Sequence, residues 1–91
     1  MADLAFSPRA LASLRGIERY LQERNPGAAA RVVEEIGHAC DLLREHPWMG
    51  PRIPGTGLRR HITRRYRYRV IYRVVGGRVE VRDVMHPSRD G

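Results

Sequence analysis

The sequence predicts an α+β domain: an N-terminal short strand and an antiparallel helical hairpin packed on a small antiparallel β-sheet. Three observations carry that prediction. Two proline-initiated segments in the first half place apolar residues three and four apart. From residue 58 the apolar period changes to two, and Gly76-Gly77 then separates the last two alternating runs. A chain of 91 residues fits one domain, spanning 1–91.

Residues 3–6, "DLAF", are short and apolar and predict a first strand. Ser7-Pro8 predicts a helix start, because the Ser7 hydroxyl can accept from free N–H groups and Pro8 tolerates the first helical position. Leu11, Leu14, Ile17 and Leu21, with Tyr20 beside them, form one apolar face, and Arg15, Arg19 and Glu23 lie on the wet side. Gly16 weakens this helix by about 1 kcal/mol relative to alanine, and the expected compensation is a close approach by the next helix.

Asn25-Pro26 repeats the start signal. Ala29, Val32, Val33, Ile36, Cys40 and Leu43 give the second helix its stripe, and His46-Pro47 ends it. The connection is very short, so the two helices should pack antiparallel. "PWMGPRIPGTG", residues 47–57, predicts a loop in which Trp48 and Met49 anchor over the core.

"LRRHIT" predicts a strand. The next run, "RRYRYRVIYRV", places Tyr66, Tyr68, Val70, Tyr72 and Val74 on one face and Arg65, Arg67, Arg69, Ile71 and Arg73 on the other. One face would pack on the helices and the other present a row of guanidinium groups. Gly76-Gly77 fits a two-residue hairpin turn, and "RVEVRDVMH" returns as the last strand. Val84 falls out of phase with Val79 and Val81, which predicts a bulge near Arg82-Asp83.

With 42% hydrophobic and 30% charged residues the chain reads as globular rather than disordered. No apolar run approaches the roughly 20 residues of a membrane helix, and the start shows no secretion-signal pattern. One cysteine, Cys40, cannot form an internal disulfide, so a cytoplasmic, reducing setting is expected.

The net charge is +7, all 17 basic residues are arginine, and lysine as nucleophile or base is excluded. Residues 1–50 carry 6 Arg against 7 Asp/Glu, whereas residues 51–91 carry 11 Arg against 3. The second half therefore suits an anionic partner, either nucleic acid or an acidic protein segment.

His38, His46, His61 and His86 show no zinc spacing, and neither metal nor cofactor is expected. "GPRIPGTG" precedes a strand, so no helix N-terminus follows it to receive a phosphate. Ser7, Ser13 and Ser88 have no base nearby in sequence, and Cys40 sits on an apolar stripe. His86 is the candidate acid/base. RNA cleavage by transphosphorylation needs a base, an acid and cations on the phosphorane, which His86 with Arg59, Arg69 or Arg82 could supply in part. The other reading of His86 is a ring that hydrogen-bonds the strand end.

The segments "FSPRALASLRGIERYL", "NPGAAARVVEEI", "HPWMGPRIPGTGLRR", "YRVIYRV" and "VEVRDVMHPSRD" carry a resemblance in their order and spacing. From about Leu4 to Asp90 the chain resembles the RelE/ParE superfamily of type II toxin–antitoxin toxins, on the ParE side. The resemblance implies a RelE/ParE-like fold and a cognate antitoxin with an acidic C-terminal segment as partner. ParE-type members poison DNA gyrase; RelE-type members cut mRNA on the ribosome. The tyrosine that often closes the nuclease site is missing after His86, and lysines are absent. Both departures favour the gyrase poison. By position the resemblance carries over Arg59, His86 and Arg89 as functional residues and Tyr72 as a structural one. The partner-binding set is then Arg59, Arg65, Arg67, Arg69, Arg73, His86 and Arg89. Alternatives are the mRNA endonuclease, acting through His86, Arg59, Arg69 and Arg82, and a nontoxic antitoxin-binding module.

Overall fold

The computed structural model describes residues 1–87. The order is β1 (Leu4–Phe6), α1 (Pro8–Arg24), α2 (Pro26–Glu45), β2 (Arg52–Ile53), β3 (Leu58–Ile62), β4 (Arg69–Val75) and β5 (Arg78–Met85). Both helices begin as the sequence dictates. Ser7 Oγ accepts from the Ala10 N–H at 3.0 Å, and Asn25 Oδ1 accepts from the Ala28 N–H at 3.2 Å. Such caps contribute about 1 kcal/mol each. Asn25 also closes α1, its own N–H donating to the Leu21 carbonyl, so one residue ends one helix and starts the next.

The helical hairpin packs on a five-stranded sheet of order β1-β5-β4-β3-β2. The sheet is mixed rather than purely antiparallel. β1 pairs parallel with β5, Leu4 opposite Val79 and Phe6 opposite Val81. β2 lies inside the segment expected to be loop and adds a two-residue edge on β3. Gly76 and Gly77 both have positive φ, 56° and 75°, as the two-residue turn between Val75 and Arg78 requires. The predicted bulge is present: Tyr72 pairs with Val81 and Ile71 with Asp83, so Arg82 is the extra residue.

The core lies between the helical hairpin and the inner faces of β4 and β5, with Ala10 of α1 in it and Leu14, Ile17 and Leu21 packed against it. Val70, Tyr72, Val79, Val81 and Leu43 are fully enclosed, with Val32, Ile36 and Cys40 beside them. Burial pushes the Cys40 thiol up to about 11, with Asp41 adding to the effect. Side chains of this size are worth roughly 1.5–3 kcal/mol each when removed from water.

Three sequence expectations are corrected. The ribbon from Tyr66 to Val74 is a strand only from Arg69; residues 63–68 form a turn. The turn closes where the Thr63 N–H donates to the Tyr68 carbonyl at 2.8 Å and the Tyr68 N–H to Thr63 Oγ1 at 2.9 Å. Arg65 and Arg67 therefore leave the strand face, and only Arg69, Ile71 and Arg73 alternate with Val70, Tyr72 and Val74. Trp48 and Met49 do not cover the core and are largely exposed. Their place is taken by Tyr72, whose hydroxyl donates to the Pro47 carbonyl at 2.8 Å and accepts from the Gly50 N–H at 2.9 Å. Gly50 is needed there, since a Cβ would sit 2.6 Å from that hydroxyl. Gly16, lastly, has nothing within 4 Å of where its Cβ would be, so it is not a helix–helix contact.

Tyr72→Phe leaves the buried Gly50 N–H without an acceptor and should cost about 1–3 kcal/mol. Urea denaturation checks this, and an unchanged midpoint would contradict the tethering role.

Candidate functional site

β1 ends opposite Val81, while β5 runs on to Met85. Beyond the Arg82 bulge, the flank of β5 nearest α1 has no strand beside it. A groove of ≈ 630 Å³ opens there, lined among others by Arg9, Ser13, Ile17, Tyr20, Val84 and His86. Its walls are mixed: Ile17, Tyr20, Val84 and Met85 are apolar or aromatic, and Arg9 and His86 are polar. Tyr20 is half exposed on this wall.

Asp83 organises the groove. Its Oδ1 accepts from Ser13 Oγ at 2.6 Å and from the Val84 N–H at 2.8 Å. Its Oδ2 faces Arg9 Nε at 3.3 Å. The side chain thus caps an edge N–H that lacks a partner strand, and ties β5 to α1. Ser13, set aside from sequence for want of a base, does have a carboxylate in contact. That carboxylate is already taken up by two further donors, so it serves as a tether and not as a base.

His86 follows β5 directly, with its ring edge-on to that of Tyr68 at 5.3 Å between centroids. Tyr68 is buried, and burial raises its phenol pKa, with Tyr20 adding to the rise. Arg69 pairs in register with Met85 and is close to this end of β5. Arg59 is not. It pairs with Tyr72, two strands from β5 and about 10 Å from the His86 end in each direction. Its guanidinium donates to the Trp48 carbonyl at 3.1 Å and the Gly50 carbonyl at 2.8 Å, and lies 5.1 Å from the Trp48 ring. Arg82 is exposed on the bulge, and its carbonyl accepts from Ser7 Oγ at 3.0 Å. Arg59 therefore lies away from the end of the sheet that His86 and Arg69 share, so the four residues of the nuclease reading do not all meet at one point.

The remaining candidates scatter. Arg73 pairs with Glu80 at 2.8 Å on the face away from the helices. The hydrogen bond from Arg73 and the charges of Arg73 and Arg78 hold the Glu80 carboxyl below its ordinary value. Arg65 and Arg67 stand on the 63–68 turn, and Arg89 lies outside the described residues. Among the described residues no group of three His, Cys, Asp or Glu is placed to hold a metal ion. No described helix is long and apolar enough to cross a membrane.

Sequence reasoning missed Arg9, Ser13 and Asp83 as a set. The partners are 70 or more residues apart, and no local pattern signals that contact.

Comparisons with known proteins place the sequence in a family and match the fold. The family described as ParE toxin of type II toxin-antitoxin system, parDE, matches residues 4–91. The toxin candidate Y4kP of Sinorhizobium fredii is 41% identical over 80 residues, covering 86% of this chain and 80% of that protein. Among solved structures, the chromosomal ParDE toxin–antitoxin system of P. aeruginosa superposes with a TM-score of 0.81 at 20% identity, covering 94% of this chain and 96% of that one. The intact E. coli RelBE toxin–antitoxin complex gives 0.73 at 20% identity, covering 98% and 100%. The YoeB–YefM complex of Staphylococcus aureus gives 0.62 at 15% identity, covering 94% and 97%. At these identities the structures establish the shared fold.

Asp83→Ala removes the acceptor of Ser13, Arg9 and the Val84 N–H together. It should cost about 1–3 kcal/mol, read by thermal or urea unfolding. A loss no larger than that of Glu18→Ala, an exposed control, would contradict the tether.

Proposed function

Because the chain belongs to the ParE toxin family of type II toxin–antitoxin systems, we propose that it inhibits DNA gyrase and is neutralised by a cognate antitoxin. The observation that carries this reading is the lack of convergence. Arg59 is fixed on two carbonyls, Arg82 stands on the bulge and His86 sits at the far end of β5. Transphosphorylation needs its base, acid and cations around a single phosphate. Toxicity then comes from docking on the target and involves no bond breaking by this chain.

The α1–β5 groove suits the antitoxin. The Val84 N–H is already capped by Asp83, so an added strand would have to displace a carboxylate. An amphipathic helix needs no such displacement: its apolar face meets Ile17, Tyr20, Val84 and Met85. Arg9 on the rim and the basic second half of the chain complement acidic residues on that helix. The same chemistry supports the cytoplasm as the setting, where gyrase works and where a lone buried thiol stays reduced.

A second reading keeps one observation in its favour. His86, Tyr68 and Arg69 lie at the same end of the sheet, which is where a ribosome-dependent endonuclease would need them.

Purified chain added to gyrase should abolish supercoiling of relaxed plasmid and accumulate cleaved DNA, while mRNA on ribosomes stays intact. His86→Ala should keep most of that inhibition. Codon-phased mRNA cuts lost in His86→Ala, with supercoiling untouched, would replace this reading by the nuclease.

A further inference from the structure

The turn between β3 and β4 is built unlike an ordinary surface loop. Glu35, on α2, places both carboxylate oxygens on successive backbone donors. Oε2 accepts from the Arg65 N–H at 2.6 Å and Oε1 from the Tyr66 N–H at 3.0 Å. Burial alone would raise the Glu35 pKa. Hydrogen bonds from Thr63, Tyr66 and Arg65, with the Arg65 charge, outweigh it and hold the carboxyl below its ordinary value. Arg67 adopts φ 64°, the left-handed region that a non-glycine side chain rarely occupies. The Thr63–Tyr68 pair closes the base, and Arg31 Nε donates to the Tyr66 hydroxyl at 3.2 Å.

The effect is to hold Arg64, Arg65 and Arg67 outward on one fixed tip, all exposed. Among the described residues no acidic side chain forms an ion pair with Arg64 or Arg67. Glu35, the nearest carboxylate, has its oxygens on the backbone. Like charges so close repel one another, and a fixed tip forgoes the freedom to separate them. That arrangement is favourable once an anion with several regularly spaced charges lies against it.

We propose that the 64–67 turn is a preformed grip for the phosphate backbone of duplex DNA. The backbone of the turn is already ordered, and Arg64 and Arg67 have no acidic partner among the described residues, so the three guanidiniums can contact successive phosphates with little backbone ordering cost. Single-stranded nucleic acid fits less well, because its binding uses exposed aromatic faces. Here Tyr68 is buried and the Tyr66 ring is half-buried with the Arg65 guanidinium 5.2 Å away. An acidic peptide anchored in the cleft of Leu42 and Ile62 would meet Arg64 and Arg67 but leave Arg65 outside, whereas a phosphate backbone uses all three. The proposal goes beyond gyrase inhibition and does not rest on it, because its test contains no gyrase.

The test is fluorescence anisotropy of the full chain with a labelled random-sequence DNA duplex over a salt series. Single-stranded RNA and a polyglutamate peptide are parallel probes. Arg64→Ala/Arg65→Ala/Arg67→Ala should weaken duplex binding about tenfold or more, and reduce the log–log salt slope by about 2–3. Arg15→Ala/Arg19→Ala/Arg52→Ala removes the same charge elsewhere and should change both much less. Glu35→Gln raises the net charge by one, yet should weaken binding because the turn loses its clamp. The proposal is overturned if the two triple variants lose equally, if Glu35→Gln binds tighter, or if RNA or polyglutamate binds better than duplex through the same arginines. Should Glu35→Gln fail to fold, the alanine pair decides alone. Duplex binding through the turn, without inhibition of gyrase, would leave the grip standing and remove the gyrase reading.

Discussion

The pairing of β4 with β5 is the constraint on which the rest depends. Each strand contributes its inner residues, Val70 and Tyr72 from one and Val79 and Val81 from the other, to a single apolar surface against the two helices. The bulge at Arg82 sits within that ladder. Before it, β5 is sandwiched between β1 and β4; after it, only β4 remains. Relief of pairing on one side opens the groove, and Asp83 at that point keeps the exposed edge from pairing with a stray strand. One extra residue therefore divides β5 into a part that builds the core and a part that borders the groove.

The arginines divide in a similar way. Arg59 is structural, holding the loop after α2 through two carbonyls, and its neighbour Tyr72 holds the same loop through its hydroxyl. Arg73 is balanced by Glu80 on the open face. Arg64, Arg65 and Arg67 are gathered on a turn that an acidic residue of α2 fixes through the backbone and not through their charges. A count of basic residues treats these groups alike. Their surroundings differ: Arg59 and Arg73 bond within the fold, whereas Arg64 and Arg67 have no acidic partner among the described residues.

Features set by local chemistry were legible in the sequence. Ser7-Pro8, Asn25-Pro26, His46-Pro47 and Gly76-Gly77 each determine their own backbone, and the structure has the expected caps and turn at each. The bulge was legible because a phase slip between Val81 and Val84 needs a physical cause. Features set by distant contacts were not. β1 finds its partner in β5 some 75 residues away. The alternation in "RRYRYRVIYRV" suggested a strand across its whole length, but Thr63 and Glu35 divert the first part into a turn. Trp48 looked like a core anchor on composition, yet Tyr72 from the central strand fills that role, leaving Trp48 outside. The groove itself combines α1 with the end of β5, and no stretch of sequence contains both.

On the reading proposed above, β5 beyond its bulge and α1 together form the surface that the antitoxin covers. Hydrogen–deuterium exchange on the chain alone and with its antitoxin tests this most directly. New protection is expected in α1 and in residues 82–87 on complex formation, with the β4–β5 ladder from Tyr72 to Val81 protected in both states. Protection gained only along the β2 edge or on the outer face of β4, with 82–87 unchanged, would contradict it.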